Sequence, residues 1–179
     1  MKSSFPIIHI IGLPGAGKTT IAKRLSRRYN LPIFGIGEYR SRFPSTPIGE
    51  LDAWVNLFRD LSRRKWKNCI LETTGLNQRE SFIRAALPIG QVITVKLEAS
   101  KQVLYGRIGK NRKQEQGGEW LFSANYPNKY EFVKKLYNEF KKLPAEIRID
   151  TTRLSPEKVF EATMKKLKQQ MILYSKLEW

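Results

Sequence analysis

The chain has 179 residues with 33 Lys and Arg against 16 Asp and Glu, a formal net charge of +17, and a length that fits one domain burying about 70% of its unfolded surface. One cysteine excludes an internal disulfide, and that cysteine with a single histidine is too small a set for the usual zinc site. No apolar run reaches the roughly 18 residues needed to cross a bilayer, and no secretory signal pattern opens the chain, so the expected setting is cytoplasmic, without a membrane partner.

Charge of this sign attracts polyanions. Residues 1–60, 61–120 and 121–179 carry +5, +7 and +5, so along the sequence the excess is spread rather than gathered into one stripe.

Apolar runs of strand length alternate with amphipathic runs of helix length, the pattern of a parallel sheet covered by helices on both faces. A buried strand is predicted over about residues 6–11. It leads into Gly12-Leu13-Pro14-Gly15-Ala16-Gly17-Lys18-Thr19, which fits G-x-x-x-x-G-K-[ST] at every fixed position. Glycines there let the backbone wrap a triphosphate with its N–H groups. Lys18 then reaches the β- and γ-phosphates, and the Thr19 hydroxyl ligates Mg²⁺. Thr20 continues the loop into a helix that Asn30-Leu31-Pro32 ends near Tyr29.

A short second strand, 33–36, precedes Gly37-Glu38-Tyr39-Arg40. In an open parallel sheet ligands bind beyond the carboxyl ends of the strands, which places this turn beside the phosphate loop. Glu38 there can accept the proton of an attacking hydroxyl, and Arg40 can grip an acceptor phosphate. The plainer reading of Glu38 is a carboxylate that favours a helix dipole. Residues 42–47 read as a loop with two prolines, followed by a helix over about 49–64. Trp54, Phe58 and Trp66 read as its core side chains.

The third strand, 68–72, ends in Glu72-Thr73-Thr74-Gly75-Leu76-Asn77. An acid closing a buried apolar strand calls for a partner such as hydrated Mg²⁺ or a substrate hydroxyl, with Thr74 and Asn77 on the same rim. Capping the next helix, expected over 79–87, or pairing with a lysine are the alternatives. A fourth strand, 91–97, alternates Val92, Thr94 and Lys96 with Ile93, Val95 and Leu97.

After a helix over about 100–108 comes a basic, glycine-containing stretch to Pro127. Its composition is that of a lid over about 109–127, and Arg107 and Arg112 are its candidates for stabilising the transferring phosphate. The same charges also suit a solvated surface. A helix over 129–142, a fifth strand over 146–150 and a last helix capped by Ser155 complete the chain. His9, inside the first strand, reads as a core histidine bonded to backbone.

The phosphate loop, Gly37-Glu38-Tyr39-Arg40 and Glu72-Thr73-Thr74-Gly75-Leu76-Asn77 together resemble the P-loop kinases related to nucleoside monophosphate kinases. In pattern they are most similar to the 5′-hydroxyl polynucleotide kinase group. That group has an Asp-Asp-Tyr-Arg element and a later strand ending in Asp-Thr-Asn-Leu-Asn. The resemblance implies Glu38 as general base, Arg40 as acceptor arginine, Glu72 and Asn77 at the strand end, and Arg107 and Arg112 as lid arginines. It also implies that Asp150-Thr151-Thr152 forms the adenine-side loop. This chain has Glu where the group has the basic Asp, and Gly37 where it has the first acid. The Gly-x-Tyr-Arg element is also similar to the kinase half of the bifunctional fructose-phosphate enzymes.

The expectation is therefore a single domain over 1–179 with a three-layer α/β/α P-loop NTPase fold, a five-stranded parallel sheet and a lid. Its cofactors would be ATP or GTP with Mg²⁺. It would transfer the γ-phosphate to a hydroxyl, with a polynucleotide 5′-OH (RNA or DNA) as first acceptor. A small nucleoside, nucleotide or sugar acceptor, and a nucleotide-dependent switch without transfer, are the alternatives.

Overall fold

Ile7–Gly12 form β1, and all six residues are buried, which requires cover on both faces. The computed structural model describes residues 5–77, 87, 91–112 and 128–175, with the side chains of 110–112 and 175 outside that description. Residues 79–86 of the helix expected over 79–87 and residues 113–127 of the expected lid lie outside the described residues.

Five strands form one all-parallel sheet in the order β2-β3-β1-β4-β5, where β2 is Ile33–Gly35, β3 Cys69–Thr73, β4 Val92–Glu98 and β5 Ile147–Asp150. The described helices are α1 (Lys18–Tyr29), α2 (Ile36–Arg40), α3 (Pro47–Arg63), α4 (Lys101–Arg112), α5 (Lys129–Lys142) and α6 (Pro156–Ser175). None is long and apolar enough to cross a membrane.

Ile8, Ile10, Val95 and Leu97 pack with Ile21, Ala22 and Leu25 of α1 and with Val159 and Leu167 of α6. Ile7, Cys69 and Leu71 pack with Tyr39 of α2 and with Ala53, Trp54, Leu57 and Leu61 of α3. Each fully buried isoleucine or leucine contributes about 1.5–3 kcal/mol relative to exposure. Trp54 and Phe58 meet edge to face at 5.6 Å, as core residues do. Cys69 is fully buried, and burial pushes its thiol up to about 12, so it is inert in the folded chain.

Local chemistry sets the boundaries. Asn30 ends α1 in the left-handed region at φ 53°. Thr46 caps α3 by accepting from the Gly49 N–H at 3.1 Å, and Pro47 takes the first helical position. The helix thus begins two residues before the sequence expectation, because Pro47 starts it rather than belonging to the loop. Asn128 caps α5 through the N–H groups of Tyr130 and Glu131.

Two readings change. Gly37-Glu38-Tyr39-Arg40 is a short helix rather than an open turn. Residues 109–112, assigned to the lid, continue α4 as helix. In β4, Thr94 and Lys96 are as buried as the apolar residues they alternate with.

Lys96 is fully enclosed, with all three ammonium protons matched to acceptors. They are the Lys141 carbonyl at 2.9 Å, the Leu143 carbonyl at 3.0 Å and Glu98 Oε1 at 2.9 Å. The Phe140 ring lies 4.9 Å away. A cation at the carbonyl end of α5 also complements the helix dipole. His9 bonds Thr73 Oγ1 through Nε2 at 2.7 Å, a side-chain partner where backbone was expected.

Candidate active site

Parallel strands bring their carboxyl ends to one edge. The register pairs Ile10 with Glu72 and Glu72 with Gly35, so the phosphate loop, the end of β3 and the entry to α2 are neighbours. Residues more than 30 apart in sequence meet there.

The loop from Gly12 to Gly17 turns tightly into α1. Gly15 has φ +81°, and a Cβ on it would stand 2.9 Å from the Leu104 carbonyl of α4. Gly17 caps α1 at φ +93°. Both positions demand glycine. The first N–H groups of α1 have no helical partners and face outward with the positive end of the helix dipole, which suits an anion.

Gly15, Ala16, Gly17, Lys18, Thr19 and Thr20 line one wall of a cavity of about 350 Å³. Arg107, Thr151, Leu154, Pro156 and Val159 line another. Pro14 and Gly12 shape the loop behind it. The volume falls in the range of small-ligand pockets. Lys18 Nζ stands 3.5 Å from the Leu13 carbonyl, folded back across its own loop.

Thr19 Oγ1 donates to Glu72 Oε1 at 2.6 Å. This pair carries the metal-ligating prediction. No cluster of three or more His, Cys, Asp or Glu able to hold a metal occurs among the described residues. A hydroxyl and one carboxylate nonetheless fit Mg²⁺, which keeps waters and takes its remaining oxygens from phosphate. Thr74 is buried beside Glu72, and Gly75 turns the chain at φ +84°, with Asn77 half-buried beyond it.

Arg107 reaches the cavity from α4. Its Nη1 donates to the Gly15 carbonyl at 3.3 Å and Thr151 Oγ1 at 2.9 Å, and its Nη2 to the Thr151 carbonyl at 2.7 Å. It ties the phosphate loop to the turn after β5. Asp150, the last residue of β5, is held below its usual range by the Thr152 hydroxyl and N–H. Its contribution to stability is complete above the ordinary Asp range and is lost as pH falls through the depressed value. The backbone of Arg112 lies in α4, and its side chain is outside the described residues.

On α2, Glu38 is exposed and pairs with Arg42 four residues on. Arg42 also covers the Tyr39 ring at 4.7 Å. Burial pushes the Tyr39 phenol up, and its bond to Asp60 at 2.7 Å adds to that, so it stays protonated and is no base. Arg40 makes a bidentate pair with Glu50, 2.7 Å from Nε and 2.6 Å from Nη2. Glu50 also accepts from Trp54 Nε1 at 2.8 Å.

Sequence reasoning missed Glu50 and Arg42. An acid in the first turn of α3 reads as a dipole partner, and an arginine before two prolines reads as loop.

A phosphate loop lining a half-open pocket, on a 2-3-1-4-5 parallel sheet between helices, defines a P-loop fold of the kind carried by small kinases. The chain belongs to the AAA domain family, whose match covers residues 8–128. Similar solved structures include a gluconokinase from Sinorhizobium meliloti 1021, at 13% identity and TM-score 0.68, covering 97% of this chain and 98% of that one. A shikimate kinase from Acinetobacter baumannii in complex with shikimate shares 20% identity with TM-score 0.61 over 97% and 96%. A sugar kinase from Janibacter sp. HTCC2649 shares 18% with TM-score 0.61 over 92% and 95%. No curated protein sequence matches the chain.

Proposed function

We propose that the protein is a small-molecule kinase that moves the γ-phosphate of ATP to a hydroxyl group. The observation that carries this reading is the half-open cavity between the phosphate loop and the turn after β5, with the Thr19–Glu72 pair at its rim. Folds shared with a gluconokinase, a shikimate kinase and a sugar kinase support a small hydroxylated acceptor.

Lys18 and the loop amides hold the β- and γ-phosphates, and Thr19 with Glu72 holds Mg²⁺, which neutralises phosphate charge when bound. Arg107 fixes the loop against Thr151 and walls the nucleotide site, a placement that differs from a lid arginine on the transferring group. Glu38 takes the acceptor proton once Arg42 turns from it to the acceptor. Arg40 acts by fixing α2 against α3 through Glu50, and any direct grip on the acceptor shares it with that carboxylate. Arg112, Thr74 and Asn77 complete the proposed site.

A polynucleotide 5′-OH acceptor stands second. Residues 36–63, which carry Glu38, hold four arginines and four acids, so the acceptor side lacks the cation excess a phosphate chain requires.

The test is ATP consumption with Mg²⁺ and single acceptors: D-gluconate, shikimate, glucose, nucleosides and a 5′-OH oligonucleotide. A small acceptor is expected to raise turnover above the basal rate, and Glu38→Ala to lower the stimulated rate about 10²-fold. Stimulation by the oligonucleotide alone would replace this reading with the second one. Full activity of Glu38→Ala would remove Glu38 as base.

A further inference from the structure

The charge that is even along the sequence is uneven in space. α1 and α6 lie on the same side of the sheet, joined by the Arg24–Glu157 pair, and both start at its carboxyl edge. Together they hold nine Lys and Arg against two acids, one of which is Glu157. Lys23, Arg27 and Arg28 on α1 and Lys158, Lys165 and Lys168 on α6 are all exposed. α2, α3 and the residues between them, on the opposite side, are balanced four to four.

We infer that the outer face of α1 and α6 docks a nucleic acid through its phosphate backbone, independently of the acceptor site. Solubility is served by both signs in balance, whereas a face with nine cations against two acids repels itself and attracts a polyanion. Lys158, Lys165 and Lys168, at i, i+7 and i+10, share the outer side of α6, with exposed Glu161 among them. Lys23 and Arg27, at i and i+4, form a second row on the neighbouring helix.

A lipid surface fits less well. An interfacial helix puts its apolar side into the membrane, but Ile21, Ala22 and Leu25 of α1 and Val159 and Leu167 of α6 are buried against the sheet. Exposed Ile172 and Leu173 lie past the last of these lysines. Glu38 is on α2, packed on the other side of the sheet. The bound strand is therefore a tether and not the group phosphorylated.

The experiment is fluorescence anisotropy of a fluorescein-labelled poly(U) RNA with the whole chain, without ATP. Six phosphate contacts give a slope of log K on log salt near −4, so affinity should fall about 300-fold between 50 and 200 mM salt. The variant R27E/R28E/K165E/K168E should lose at least about tenfold in affinity while keeping its melting temperature and ATP binding. The variant K134E/K135E, on exposed positions of α5, should bind like the parent. If the fourfold reversal unfolds, the neutral set R27Q/R28Q/K165Q/K168Q takes its place.

Equal RNA binding by parent and variant overturns the inference, as does equal loss in the α5 control. Binding to phosphatidylserine vesicles with none to RNA also overturns it. None of these outcomes bears on whether a small acceptor stimulates ATP turnover.

Discussion

Lys18→Ala is expected to lower acceptor-stimulated ATP turnover about 10³-fold while leaving the melting temperature within a degree or two, roughly the scatter of surface changes. Lys18 opens α1, where the unpaired N–H groups and Gly17 already favour an anion. Its ammonium adds a full charge at the wall of a cavity partly enclosed by protein, where a fixed charge acts more strongly than in bulk water. The side chain is half-buried and folds back over its own loop to the Leu13 carbonyl, so truncation leaves the core intact. The contrast to measure is turnover against thermal unfolding. A variant that keeps a tenth of the parent rate would show that the loop does not carry transfer, and one that unfolds early would show a structural lysine.

Lys96→Met is expected to destabilise the fold by about 3–5 kcal/mol, because removing one partner of a buried pair strands the other. For a domain of this size that is a fall in melting temperature of about 10 °C. The variant deprives Glu98 of its cation and leaves the Lys141 and Leu143 carbonyls without a donor. Methionine keeps the stem volume, so the loss is electrostatic and not a cavity. Adding Glu98→Gln removes the stranded charge and should recover most of the stability. Urea unfolding of the single and double variants decides it. Equal stability of Lys96→Met and the parent would mean that the ammonium is replaceable by packing alone.

Lys96 also shows where sequence reading fails. The period-2 pattern of Thr94 and Lys96 against Val95 and Leu97 marks a strand and names no partner for the lysine. The last carbonyls of α5, some 45 residues away, turn that position into a buried cation site. His9 is similar: its partner Thr73 sits 64 residues downstream, and only strand pairing brings the two together. Arg40 is a third case: Glu50 on α3 holds two of its nitrogens, a partner that its spacing to Glu38 does not reveal.

What the sequence determined by itself is local. The strand–loop–helix of residues 7–29, the glycine positions, the caps at Asn30 and Ser155 and the parallel class of the sheet all follow from φ preferences, unpaired helix-end groups and hydrophobic period. Tertiary structure alone decided which charges face each other. It paired Thr19 with Glu72, drew Arg107 onto Thr151 and set the cations of α1 beside those of α6. The physical reason is that backbone geometry and burial pattern act over a few residues. The partner of a charge is fixed only when strands distant in the chain are placed side by side.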